Sequence, residues 1–143
     1  MSQEMKQSYG QSSNLFVSRK ASGDSIVMGG TAEDTTRWTR VLSQRAAQML
    51  WFHLARLLYP DKSEMITALI ATAPLRDSTR PTITTHMTVD LDANGNYAIA
   101  GYIDGQAWLL QVYEPEATQL WSALDIALYP MGWQGHDLKA IPH

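Results

Sequence analysis

From Ile83 onward the chain alternates with a period of two. Ile83, Thr85, Met87, Val89 and Leu91 fall on one side, and Thr84, His86, Thr88 and Asp90 on the other. That period belongs to a strand, because successive side chains point to opposite faces of a sheet. Asn94-Gly95 and Asp104-Gly105 follow at hairpin spacing, and both dipeptides suit the two-residue turns whose twist matches paired strands. The pattern predicts a three-stranded meander near residues 82–92, 97–103 and 106–113.

If both turns are two-residue loops, 91 faces 98, 89 faces 100 and 87 faces 102, while 102 faces 107 and 100 faces 109. One sheet face then carries Ile83, Met87, Val89, Leu91, Ala98, Ala100, Tyr102, Ala107 and Leu109, and its alanines leave room for a helix. The other carries Tyr97, Ile99, Ile103, Trp108, Leu110 and Val112 beside Thr84, His86, Thr88 and Asp90. A solvated face should be polar, so this second face calls for a cover, and cover from within the chain is the default expectation. A bulge at either turn would slip the register by one residue and exchange the faces.

Upstream, Asn14–Lys20 and Ser25–Met28 read as a hairpin around the turn Ala21–Asp24, broken by Gly29-Gly30. Thr31 is placed to cap a helix with Glu33 and Asp34 in its first turn, ending at Tyr59 before Pro60. On that long helix Trp38, Leu42, Ala46, Met49, Leu50, His53 and Leu57 share one arc. Arg37, Arg40, Gln44 and Gln48 lie opposite, with Trp51 and Leu58 on the polar side. Residues 49–58 are apolar nearly all round, which requires burial on more than one side.

Asp61–Glu64 resembles a capping box, and Met65, Ile66, Leu69, Ile70 and Ala73 follow helical spacing, although a buried strand fits the same stretch. Pro74–Pro81 reads as a polar loop. A final helix opens at Pro115-Glu116, with Ala117, Leu120, Trp121, Leu124 and Leu128 on one face, and ends at Tyr129-Pro130. Both helices end in Leu-Tyr-Pro, at 58–60 and 128–130; a duplicated unit is one reading, and a common aromatic-proline stop is the simpler one.

The elements assemble into an α+β fold: N-terminal β-hairpin, long α-helix, three-stranded antiparallel meander, and a C-terminal helix packed on the sheet. The expected organisation is a disordered tail at 1–13, one domain at 14–130 and a second tail at 131–143. Composition agrees with one core: 143 residues, 45% apolar and 17% charged. The net charge of −3 counts against a protein whose main task is gripping phosphate backbone. The absence of cysteine excludes disulfides, thiolate catalysis and cysteine-held zinc. With no apolar leader at the N-terminus and no run of about 20 apolar residues, the expected location is cytoplasmic, with no membrane partner.

Candidate chemistry is sparse. Asp90-Leu-Asp92-Ala-Asn94-Gly95 matches the first half of a calcium loop, but its twelfth position is Gly101 and its flanks are strands. His53 sits within the apolar stripe and reads as a core histidine. His86 and Asp90 share a strand face and read as a polar row; His136-Asp137 and His143 have no ligand spacing. Gly29-Gly30-Thr31 before a helix could hold an anion, but Glu33 and Asp34 would repel it. No cofactor, metal or catalytic set is expected.

Four arginines (Arg37, Arg40, Arg45 and Arg56) mark the long helix, and 5 tryptophans are many for this length. Arg and Trp anchor binding interfaces. Trp38, Trp108 and Trp121 are accounted for by core packing; Trp51 and Trp133 are less easily placed there. The expected function is a non-catalytic protein-interaction, assembly or regulatory factor, forming a homodimer and acting through an apolar and aromatic surface. That surface would draw on Trp51, Arg37, Arg40, Tyr97, Ile99, Trp108, Leu110 and Trp133. Single-stranded nucleic-acid binding is the first alternative, less favoured, and a small-ligand pocket or enzyme near His53 or His86 the second.

Overall fold

A computed structural model describes residues 8–19, 25–62 and 83–128. Among these residues, seven strands and two long helices follow in the order β1 (Ser8–Gln11), β2 (Ser13–Arg19), β3 (Ser25–Thr31), β4 (Arg37–Ser43), α1 (Gln44–Leu58), β5 (His86–Leu91), β6 (Tyr97–Ile103), β7 (Gln106–Val112) and α2 (Glu114–Leu128). A short 3-10 turn at Pro60–Lys62 follows α1. Most of the segment expected as a helix or strand at 61–73 lies outside the described residues, as do the loop to Pro81 up to residue 82, the N-terminal seven residues and the tail at 131–143. The class is α+β, with a four-stranded sheet in the order β1-β7-β6-β5 and a three-stranded antiparallel sheet in the order β2-β3-β4.

Three expectations are corrected. Residues 37–43 are a strand, not the first turns of the long helix, and the hairpin strand runs on through Gly29-Gly30 to Thr31. Trp38, Arg40 and Leu42 are buried and alternate with Arg37, Thr39 and Val41. The arginine in the buried row hides this period of two, while Trp38 and Leu42 continue the helical spacing of residues 46–57. Thr31 therefore caps nothing; the helix starts at Ser43, whose Oγ accepts from the Ala46 N–H at 3.0 Å. Ser8–Gln11, expected as part of a tail, pair in parallel with β7.

The third correction concerns register. The Asp104-Gly105 hairpin is as expected, with both residues at positive φ and Tyr102 opposite Ala107. The first turn is wider. Asp92 Oδ1 accepts from the N–H groups of Asn94 and Asn96, at 2.8 and 3.0 Å, and Asp92 N–H donates to the Asn96 carbonyl at 2.9 Å. Asn94-Gly95 is thus enclosed in a turn over Asp92–Asn96, and Leu91 faces Tyr97 instead of Ala98. Met87 and Val89 move to the face of Tyr97, Ile99, Trp108, Leu110 and Val112.

That face is covered from within the chain. Met87, Tyr97, Ile99, Trp108, Leu110 and Val112 are buried in one core with Ile26, Met28, Trp38 and Leu42 from the other sheet, and Leu50, Trp51, Leu54, Leu120, Trp121 and Leu124 from the helices. The sheets are joined at two corners. Ser12 N–H donates to the Gln111 carbonyl as the chain passes from β1 to β2; Thr84, just before β5, exchanges backbone hydrogen bonds with Val41 and Ser43 of β4. Helix α1 packs on β5, α2 packs on β2, and the helices pack on each other. The apolar end of α1 is thereby buried on two sides.

The halves repeat one another. Each is an antiparallel meander followed by a helix of 15 residues. Trp38 and Trp108 occupy the same place, opposite Gly30 and Gly101, and their rings meet at 5.9 Å in the core. Trp51 and Trp121 also correspond and stack at 5.7 Å between the helices. The row Phe16–Gly29–Thr39 matches Thr88–Ala100–Leu109, Thr31–Arg37 matches Tyr102–Ala107, and Met28–Arg40 matches Ile99–Leu110. The correspondence runs through sheet and helix alike, as far as Leu58 and Leu128.

Candidate binding surface

Of the residues singled out from sequence, Tyr97, Ile99, Trp108 and Leu110 are core residues, each no more than 3% exposed. Trp51 is fully buried, with its indole N–H donating to Asp125 Oδ1 at 3.1 Å. Arg40 is also buried. Its Nε donates to the Tyr9 hydroxyl at 2.8 Å, and its guanidinium lies 5.1 Å from the Trp108 ring centroid and 5.6 Å from that of Tyr9. Tyr9 in turn stacks on Trp38 at 4.6 Å. Such cation–ring packing suits an arginine better than any other charged side chain. Trp133 lies outside the described residues. Arg37 alone of the set stands exposed, and on a strand.

What the sheets offer to the outside is therefore a different set of residues. On the three-stranded sheet the outward row includes Asn14, Phe16, Thr31, Arg37 and Thr39. With backbone from Gly30 and Trp38 they line a groove of about 380 Å3. The Phe16 ring packs over the strand at Gly29, where a Cβ would come within 2.6 Å of its Cε1 and 2.7 Å of its Cζ. Glycine is required there by close approach, not by an unusual φ. Phe16 nonetheless remains 45% exposed. Arg37 makes no ion pair or hydrogen bond with the described residues. Asn14 sits at φ 52 where β2 bulges against β3. Bulges re-aim side chains, and asparagine is among the few residues that tolerate this conformation.

The matching face of the four-stranded sheet forms a groove of about 350 Å3 between Ser8, Gly10, Thr88, Asp90, Tyr102 and Leu109, floored by Ala98 and Ala100. His86 meets Tyr102 edge-on at 5.6 Å beside it. His53, on α1, has its pKa lowered by burial first, then by His86 and Arg56, with Asp90 opposing. The two histidines and Asp90 thus lie within electrostatic range, as the pocket alternative requires. A nucleophile held by a general base is not among these residues. No group of three or more His, Cys, Asp or Glu among the described residues is placed to hold a metal ion.

Asp92 of the calcium-like sequence spends its carboxylate on the turn backbone. The Gly29-Gly30-Thr31 anion site dissolves with its helix. No helix of the described residues is long and apolar enough to cross a membrane. Phe16, Asn14, Thr31 and Thr39 were not among the predicted site residues; the signal for Phe16 was a large ring beside polar Asn14 and Ser18 on one face of a strand opposite a Gly-Gly pair. No family model, curated protein or solved structure matches the chain.

Proposed function

We propose that the chain is a non-catalytic interaction or regulatory factor that works through an aromatic surface, and that this surface is the Phe16–Arg37 face of the three-stranded sheet. One observation carries the reading: a half-exposed ring packed over Gly29, in a groove whose arginine has no partner among the described residues. Aromatic rings and arginines are the side chains that binding sites draw on most. The surface first expected for this role is consumed by the core, and with it goes the reason for expecting a dimer, an apolar face left in water.

The test is capture from native extract with the tagged chain, analysed for protein, nucleic acid and small molecules alike. Phe16→Ser and Arg37→Ser should each strip away specifically retained material while leaving the fold, monitored by tryptophan fluorescence, unchanged. Retention equal to the wild type in both variants would dispose of the reading.

A further inference from the structure

We propose that the Phe16 face binds a free nucleotide, a ligand presenting one planar ring and one anionic group. This rests on the functional reading above and assigns its ligand. Phe16 supplies a half-exposed ring packed over the strand at Gly29. Base stacking on such a ring tolerates any base, since every base has a π-face. Arg37 supplies a forked donor that fits phosphate oxygens in pairs. It lies two strands across and one row along, beside Thr31. Strand spacing of about 4.8 Å and a rise of about 3.3 Å per residue separate the two backbones by roughly 12 Å. Ring and guanidinium thus belong to one groove, within reach of the two ends of one nucleotide. Thr31, Thr39 and Asn14 bring hydroxyl and amide groups to the same groove, whose volume of about 380 Å3 suits a single small ligand.

The duplicated architecture supplies an independent argument. At the matching places in the second meander stand Thr88 instead of Phe16 and Ala107 instead of Arg37. The meander therefore folds without either side chain, and their presence on one face calls for a role other than folding.

A strand of nucleic acid fits less well than a free nucleotide. Binding a polymer uses several cations along its backbone, whereas Arg37 is the one arginine among the described residues that line this groove. The net charge of −3 works in the same direction.

The test is a two-dimensional amide NMR titration of the full chain with AMP and UMP, with adenosine, inorganic phosphate and a short single-stranded oligonucleotide as further arms. The expected result is saturable shifts at Phe16, Gly29, Gly30, Thr31, Arg37 and Thr39. Each monophosphate should bind more tightly than adenosine or phosphate alone. Phe16→Ala should weaken binding about tenfold, and Arg37→Gln by a similar factor. Shifts absent from this face, or an affinity unchanged by both substitutions, overturn the proposal. An oligonucleotide bound far more tightly than the monophosphates, with steep salt dependence, overturns it in favour of a strand. Should nucleotides fail while both serine variants still lose captured material, the face stands and only its ligand is wrong. Should capture also be unchanged, the functional reading falls as well.

Discussion

Gly101→Ala probes the tightest contact in the core. A Cβ at Gly101 would come within 2.3 Å of Trp108 Cε2 and 2.6 Å of its Nε1. The ring has nowhere to go: its N–H donates to Thr84 Oγ1 at 3.0 Å, Trp38 lies 5.9 Å away, and the Arg40 guanidinium 5.1 Å away. Forcing a methyl into a packed core costs about 1–3 kcal/mol. Displacing the indole forfeits a buried hydrogen bond of about 1 kcal/mol. Against this, alanine recovers about 0.5–1 kcal/mol of backbone entropy. The net loss is about 2 kcal/mol, and with a urea dependence of about 2 kcal/mol per molar the midpoint should fall by about 1 M. In a Trp108→Leu background the clash is gone, so the same substitution should be neutral or stabilising, giving a coupling near 2 kcal/mol in a double-mutant cycle. A Gly101→Ala midpoint within experimental error of the wild type, or an equal penalty in both backgrounds, would refute the packing described.

Other expectations are as specific. Ser43→Ala removes the cap of α1 and should cost about 1 kcal/mol in urea unfolding. Trp51→Phe removes an N–H donor to the fully buried Asp125 and should cost about 1–3 kcal/mol in urea unfolding, the penalty of a buried polar group that loses a partner. His53, with its folded pKa below 6.5, resists protonation in the native state. The unfolded chain therefore binds more protons as pH falls through 6.5 toward that lower value, and stability drops. Urea midpoints at pH 5 and 7.5 should differ less for His53→Gln than for the wild type; an equal difference would remove His53 as the cause.

The firmest parts of the fold were legible because a local rule and the tertiary structure agreed. The alternation over His86–Leu91, the Asp104-Gly105 turn and the apolar face of α2 all survive, while the predicted polar row breaks at Thr84, which is buried and bonded to Trp108 and β4. The failures have local causes too. Arg40 stands in a buried row where the other meander has Leu110, so β4 does not read as a strand. Its burial depends on Tyr9 and Trp108, partners distant in sequence. The register slipped because the Asp92 carboxylate bonds the backbone two and four residues on, a choice that Asn94-Gly95 alone does not reveal. Misreading β4 also concealed the repeat, since Trp38 and Trp108 could not be matched while one was assigned to a helix. The candidate site failed for a related reason. Tyr97, Ile99, Trp108 and Leu110 were correctly grouped on one face, but cover comes from a second sheet and two helices that no single segment announces.

The central claim is that the chain buries its own aromatic sheet face and presents Phe16 instead. Hydroxyl-radical footprinting read by mass spectrometry tests it in one measurement. Labelling of the free protein should modify Phe16 readily while Trp51, Trp108 and Trp121 stay protected, and ligand capture should lower the rate at Phe16 without exposing the tryptophans. Rapid modification of Trp51 or Trp108, or a Phe16 rate indifferent to bound ligand, would contradict the account.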